Sequence, residues 1–467
     1  MMKISVTVFF FLFSIASYSQ TISQKLNVAI NRLQTDSQFK HATISLFVVE
    51  SKTGKIIFDK NSQTGLAPAS CQKVITGTTA FELLGKDYTY KTNLGYDGKI
   101  DSGILAGNIY ITGSGDPTLG SWRYSSTKEN IILAEFENAI KQNNILQIKG
   151  LVLGDDRMWG TQRTPDGWIW QDIGNYYGAG ASALNWRENQ YDLILRSGKK
   201  IGDSVKISST TPKFLPGIHL INELTAAEKG SGDNAYIYLT PDAETGFVRG
   251  TIPVNEDSFV ISGAMPDGGK LLAATIFNDI ASGKNYPDNN TNYLKGKSKW
   301  HQPATIFYTH TSPPLDSIIY WFLKRSINLY GEALIKTIGY EKIKIGSTDA
   351  GVKVIRDFWS KKGIESSSLK IIDGSGLSPA NRVTTKALVT VMQYAKDQNW
   401  FSSFYYDLPE INGIKMKDGY INGVRSYTGY IKNKEGVEYT FSFLINNFDG
   451  SASSVREKMW KLLDVLK

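Results

Sequence analysis

"APASCQKVIT", residues 67–76, sets a serine and a lysine three apart, Ser70 and Lys73, with the chain's single cysteine, Cys71, between them. Pro68 precedes an apolar run that continues as "VITGTTAFELLG" to Gly85, so the stretch predicts a helix that opens near Ser70. Residues three apart share a helix face, and Lys73 therefore reaches the Ser70 hydroxyl. A lysine amine can take the serine proton when burial or a neighbouring cation lowers its pKa. Cys71 falls with Val74, Ile75 and Thr78 on the other face and reads as a small core residue. Taken alone, Ser-x-x-Lys is a common chance pattern.

Outward from this helix the texture is mixed. "ISQKLNVAINRLQ" carries Leu26, Ala29, Ile30 and Leu33 at helical spacing, and "ATISLFVVE" and "KIIFDK" follow as two strands joined by "SKTG". From about residue 90 to 290, short strand-like runs such as "GNIYITG", "YDLILRSG" and "NAYIYLT" alternate with Gly, Asp, Ser and Pro. Helical patterns return in "SPPLDSIIYWFLKRS", "LYGEALIKTIG", "TDAGVKVIRDFWSKKG" and "VTTKALVTVMQYAKD". The chain closes with the hairpin "GVRSYTGYI"/"VEYTFSFLINN" and the helix "SSVREKMWKLLDVLK". The first and last thirds thus predict one α/β (α+β) domain of helices on an antiparallel sheet, interrupted by a large β-rich insertion of two modules. The expected division is 1–19 signal peptide, 20–88 first part of the domain, 89–290 insertion, and 291–467 second part.

The opening "MMKISVTVFFFLFSIASYSQ" reads as a secretory signal: Lys3, an apolar run from Ile4 to Ala16, and small residues Ser17 and Ser19 before a cut at Gln20. No later run is long and apolar enough for a membrane span. The expected location is therefore the periplasm, with no stable span once the signal is removed. One cysteine excludes an internal disulfide. The histidines His41, His219, His301 and His310 are scattered without metal-like spacing, so neither a metal nor another cofactor is expected. The net charge of +8 suits an anionic surface such as a cell wall, although ordinary solubility explains it as simply. No dense Lys/Arg tract argues for nucleic acid.

Two further motifs follow the first. "RSINLYGEAL" holds Ser326 and Asn328 between two helical patterns, where a connecting loop can aim both into one pocket. Ser326 can relay a proton and Asn328 can hold an amide; as plain helix caps they would carry no chemistry. "GIKMKDGYINGVRSYTGYI" opens on a strand where Lys417 can supply fixed charge and Gly419 room for close approach. Ser-x-x-Lys, Ser-x-Asn and Lys-x-Gly in that order form the penicilloyl-serine motif set.

With these motifs the chain resembles the low-molecular-mass class C penicillin-binding proteins, the D-alanyl-D-alanine carboxypeptidase/endopeptidase family. The resemblance extends through "YITGSGDPTLG" (110–120), "LVLGDDRMWG" (151–160), "GWIWQDIGNYYGAGASALN" (167–185) and "IIDGSGLSPANRVTT" (371–385). It implies a penicillin-binding/β-lactamase-like transpeptidase domain whose insertion lies in the gap of roughly 250 residues between Lys73 and Ser326. It implies Ser70 as nucleophile, Lys73 as its base, Ser326 as proton relay to the leaving amine, Asn328 as holder of the acyl donor's side chain or amide, and Lys417, with Lys73, as setting the local field. It places the oxyanion hole at the backbone N–H groups of Ser70 and Tyr420, and substrate contacts at Asp418, Gly419, Asp172 and Tyr177, with Asp172 facing the amine of the stem peptide. The implied partners are the peptidoglycan stem peptide and β-lactams as covalent inhibitors.

Two positions depart from the family pattern. Asp418 stands where a Thr or Ser hydroxyl is usual, and an ionised carboxylate there only accepts hydrogen bonds. Either its side chain turns away, or it is protonated, or the preferred substrate differs. Pro379 stands where an arginine is frequent. Besides hydrolysis of stem peptides or cross-links, two readings compete. One is a catalytically impaired wall-binding homologue, which Asp418 favours. The other is a serine β-lactamase, which the large insertion argues against.

Overall fold

The computed structural model describes residues 21–241, 243–281, 291–294, 303 and 305–467. The signal segment expected at 1–19 and most of the polar stretch 284–300 lie outside the described residues. Strands β1 (Thr43–Glu50), β2 (Ile56–Lys60), β3 (Glu410–Ile411), β4 (Ile414–Ile421), β5 (Val424–Lys432) and β6 (Glu438–Asn446) form a six-stranded sheet in the order β2-β1-β6-β5-β4-β3. Every pairing in it is antiparallel. The chain's beginning and end thus meet in its centre, where Ile44 pairs with Ile445 and Val48 with Phe441.

Both faces of this sheet are covered. On one, Tyr439, Phe441, Phe443 and Ile445 pack against α1 (Ile22–Gln34) through Leu26, Ile30 and Leu33. The closing helix, Ala452–Leu463, adds Val455, Met459 and Leu462 to the same layer. On the other face lie α2 (Lys73–Leu84), α3 (Leu315–Lys324), α4 (Asn328–Ile343), α5 (Thr348–Lys361) and α6 (Thr385–Lys396), joined in one apolar cluster. α4 is buried on every side from Leu329 to Gly339, as expected of a core helix. Each fully buried Leu or Phe in these layers contributes roughly 1.5–3 kcal/mol. Gly85, at φ 84°, ends α2 where the sequence placed its stop.

Between α2 and α3 runs the inserted region, organised around a separate apolar cluster that includes Leu94, Ile111, Phe136, Val152, Leu193, Ile237 and Val248. It is not built of strands alone. Two fourteen-residue helices, Glu129–Gln142 and Gly268–Ala281, pack within it. The expected division at 290/291 also differs from the strand pairing, because Thr305–Thr311 returns to pair with Lys91–Tyr96 in the inserted region's five-stranded sheet. The chain re-enters the helical layer only at Leu315. Among the described residues no helix is long and apolar enough to cross a membrane.

Candidate active site

The residues around Ser70 do not open the α-helix as the spacing predicted. Ala69–Gln72 forms a 3-10 turn and α2 starts at Lys73. Ala69 holds the left-handed conformation, φ 46°, which costs a residue with a Cβ some strain. The sheet fixes the segment in place. Asn446 of β6 accepts from Ala67 N at 2.8 Å and donates to Ala67 O at 3.0 Å. Ser426 of β5 donates to Pro68 O at 2.6 Å. Gly419 of β4 has no room for a side chain: a Cβ there would overlap Ser426 Oγ and lie 2.8 Å from both Pro68 O and Ser70 N. The space expected to admit substrate beside Gly419 is therefore filled by the serine turn itself, and the glycine's role is to let that turn touch the strand.

Lys73 is fully buried, and its Nζ has three partners: Ser70 Oγ at 2.9 Å, Asn328 Oδ1 at 2.7 Å and Ser375 O at 2.7 Å. Burial, reinforced by the Lys417 ammonium, pulls the amine down to about 7, against the opposing pull of Asp373, Glu332 and Asp418. The identity of the three partners matters. An amide oxygen and a peptide carbonyl only accept, whereas a hydroxyl both donates and accepts. A neutral amine has two N–H groups and one lone pair. It therefore donates to Asn328 and Ser375 and turns its lone pair towards the Ser70 O–H. The amide of Asn328 is oriented from its other side, where its Nδ2 donates to Tyr177 O at 2.8 Å.

Cys71 is buried with its Sγ against Lys417 O at 3.2 Å, and burial pushes its thiol up to about 11. Such a thiol is inert. Ser326 lies between α3 and α4 in the left-handed region, φ 56°. No hydrogen bond ties its hydroxyl to Lys73 or Ser70 among the described residues. Lys417, 1% exposed on β4, donates to Asp418 O at 2.7 Å and Asp418 Oδ1 at 3.0 Å. Burial raises the Asp418 pKa, but the Lys417 charge and hydrogen bond, with Arg425, outweigh it and hold the carboxyl below its ordinary value. Asp418 is thus ionised, not protonated, and its side chain curls back onto its own neighbour. Tyr420 is half exposed. Past Lys415 the outer edge of β4 has no strand partner among the described residues. Asp172 lies in the short helix Trp170–Ile173, its pKa raised by burial against the effect of a hydrogen bond from Tyr177.

A chain of contacts thus runs from Asp172 through Tyr177 and Asn328 to Lys73 and Ser70. Sequence reasoning noted the loop 371–385 but gave Ser375 and Asp373 no role in the site. Its organiser is Asp373, fully buried, whose carboxylate accepts from Gln72 Nε2, Gly376 N and Asn381 Nδ2 on one oxygen and from Ser378 N and Trp168 Nε1 on the other. An Asp followed by Gly-Ser-Gly is a turn signal of the side-chain-to-backbone kind, and that signal was available in "DGSG". Glu332 also went unnoticed. It is buried in α4 and accepts from Gly374 N at 3.1 Å, and burial, with Asp373 beside it, lifts it to about 8.

A model of the D-Ala-D-Ala carboxypeptidase 3 (S13) family matches residues 26–414. The chain belongs to that family. The match stops just before Lys417, so the third motif of this S13 member rests on geometry. The chain is 26% identical to a D-alanyl-D-alanine carboxypeptidase of Actinomadura sp. (strain R39), covering 92% of this chain and 82% of that one. It is 25% identical to the D-alanyl-D-alanine carboxypeptidase DacB of Haemophilus influenzae, over 84% and 83% of the two chains. The crystal structure of penicillin-binding protein 4 (dacB) from Haemophilus influenzae superposes with a TM-score of 0.77 at 22% identity, covering 93% of this chain and 97% of that one. The folds are the same.

Proposed function

We propose that Ser70 is the nucleophile and Lys73 its general base in a serine-type D-Ala-D-Ala carboxypeptidase. The observation that carries this reading is the set of one hydroxyl and two acceptors around a buried amine whose pKa is pulled down to about 7. Ser70 Oγ attacks the carbonyl carbon between two D-alanine residues while its proton passes to Lys73. The backbone N–H groups of Ser70 and Tyr420 hold the resulting oxyanion. The C–N bond then breaks, and the proton returns through Ser326 to the leaving amine. Water hydrolyses the Ser70 ester and frees the serine. Asn328 holds the acyl-donor amide, and Asp172 with Tyr177 faces the amine of the stem peptide. A β-lactam enters the same path and leaves a slowly hydrolysed adduct. The substrates are peptidoglycan stem peptides or their cross-links.

The chain divides, in this reading, into a catalytic domain of residues 21–88 and 312–467 and an inserted region between them, exported to the periplasm after loss of residues 1–19. Incubation with a fluorescent penicillin, followed by intact-mass and peptide analysis, tests the assignment. One adduct on Ser70, retained in Cys71→Ala and absent in Ser70→Ala, is the expected result. An unmodified native protein would count against catalysis.

A further inference from the structure

Helix α3 turns Leu315, Ile318, Ile319 and Phe322 into the core, which leaves Asp316, Ser317, Tyr320 and Trp321 together on its opposite face. That face borders a groove of about 530 Å³. The short helix Phe401–Asp407 supplies Ser402, Ser403, Tyr406 and Asp407 to the same groove, and Tyr124 of the inserted region completes it. Tyr406 is 65% exposed, and its ring stacks on that of Tyr320 with the centroids 5.7 Å apart. Two tyrosine rings held open to water make a platform with apolar faces and a polar rim. Beside it Asp407 is 2% exposed, yet its Oδ2 has no hydrogen-bond partner among the described residues, and neither has the buried Oδ1 of Asp316. Lys324 donates to the carbonyls on either side of Asp407, Tyr406 O at 3.2 Å and Leu408 O at 2.9 Å, and so fixes the residue in place. Burial, with Asp316 beside it, lifts the Asp407 carboxyl to about 8, so at neutral pH it can donate as well as accept. Ser317, Ser402 and Ser403 add hydroxyls that no other group of the described chain engages. Buried polar atoms left unpaired in a lined groove call for a partner from outside the chain.

The charges around the groove select that partner. Lys324 Nζ stands 5.9 and 5.7 Å from the centres of the Tyr320 and Tyr406 rings, and the Arg123 guanidinium 5.5 Å from that of Trp321. The rings already carry cations of the chain, and a further amine would be repelled by them. An anion would stand against two carboxyls. A neutral ligand rich in hydroxyls meets neither obstacle: its C–H faces lie on the rings and its O–H groups reach the unpaired carboxyl oxygens and the serines. We infer that this groove is a saccharide-binding site, and that it takes N-acetylhexosamine chains of the kind that carry stem peptides. The choice of sugar rests on the proposed peptidoglycan substrate, whereas the saccharide assignment rests on the groove alone. The groove and the catalytic cleft share an element, since α3 leads through Arg325 into Ser326.

Titration calorimetry on the full chain tests this with two peptide-free probes, the N-acetylglucosamine tetramer and glycan strands stripped of their stems by an amidase. The native protein is expected to bind both. Tyr406→Ala, at an exposed position, and Asp407→Asn, which keeps the shape, are each expected to weaken binding by about tenfold. Hydrolysis of a sugar-free diacyl-lysyl-D-Ala-D-Ala peptide should be unchanged in Tyr406→Ala, while KM for stems still attached to glycan chains rises by about tenfold. Native protein that binds neither probe, or affinities and a KM that neither variant moves, would overturn the inference. So would tighter binding of a trilysine peptide than of the tetramer, lost in the same variants, because the groove would then be an amine site. The two readings fail separately. Acylation of Ser70 by penicillin without saccharide binding would leave the enzyme and remove this site. Saccharide binding lost in Tyr406→Ala, with Ser70 unmodified by penicillin, would do the reverse.

Discussion

The site contains two buried lysines in contrasting settings. Lys73, at the start of α2, is surrounded by a hydroxyl, an amide oxygen and a peptide carbonyl, with no carboxylate in contact among the described residues. Lys417, on β4, has a carboxylate as its partner. Burial of a cation among neutral acceptors disfavours the charged form, whereas contact with an anion favours it. In the proposed mechanism the first of these lysines is the base. The Lys417 charge also acts on Lys73, as one of the two causes that depress it.

Substitutions can break this division of labour. The largest effect is expected at Lys73 itself. Lys73→Gln should slow acylation of Ser70 by about 10²- to 10⁴-fold, the usual worth of a general base, as measured by stopped-flow with a chromogenic β-lactam. The native rate should rise with pH through a midpoint near 7, because the neutral amine is the active form. That rise should be absent in Lys73→Gln. Next comes the spacing between the two regions. Gly419→Ala pushes a methyl group into Ser426 Oγ, Pro68 O and Ser70 N. Displacing the nucleophile by about 1 Å costs on the order of 10²-fold, so acylation should fall by that factor while the circular dichroism spectrum is kept. The smallest effect sharpens the comparison most. Lys417→Gln removes the repulsion that lowers Lys73, and its loss raises the Lys73 pKa. The rising limb of the pH–rate profile should move to higher pH by about one unit. An unmoved limb would show that the two lysines are not coupled.

How much of this was legible in the sequence follows from the range of the interactions. Periodicity reports local structure, so α1, the C-terminal end of α2, the β5–β6 hairpin and the closing helix were readable from residues 22–34, 73–85, 424–446 and 452–463, whereas the start of α2 was placed three residues early. Gly268–Ala281 was not read as a helix, because "GGKLLAATIFNDIA" is buried on most sides and shows little contrast between faces. In the site, the serine–lysine contact depends on a three-residue spacing and could be anticipated. The Ser375 carbonyl could not, because a backbone atom has no signature in residue type. It joins Lys73 across 302 positions of sequence only through the turn that Asp373 organises. Asp418 raised the right question, and the answer required knowing that Arg425 stands across the hairpin from Tyr420.

The Asn328 amide has a consequence for the inserted region as a whole. Its two ends differ only in which atom is oxygen, and the peptide carbonyl of Tyr177, 151 residues away, decides between them. Without that carbonyl the amide could rotate half a turn and set its NH2 against the Lys73 amine, donor facing donor. In the proposed mechanism the inserted region thus fixes which end of the Asn328 amide Lys73 meets. A version of the chain trimmed to its catalytic layers could keep every side chain of the three motifs and still lose the arrangement that lets Lys73 take a proton instead of offering one.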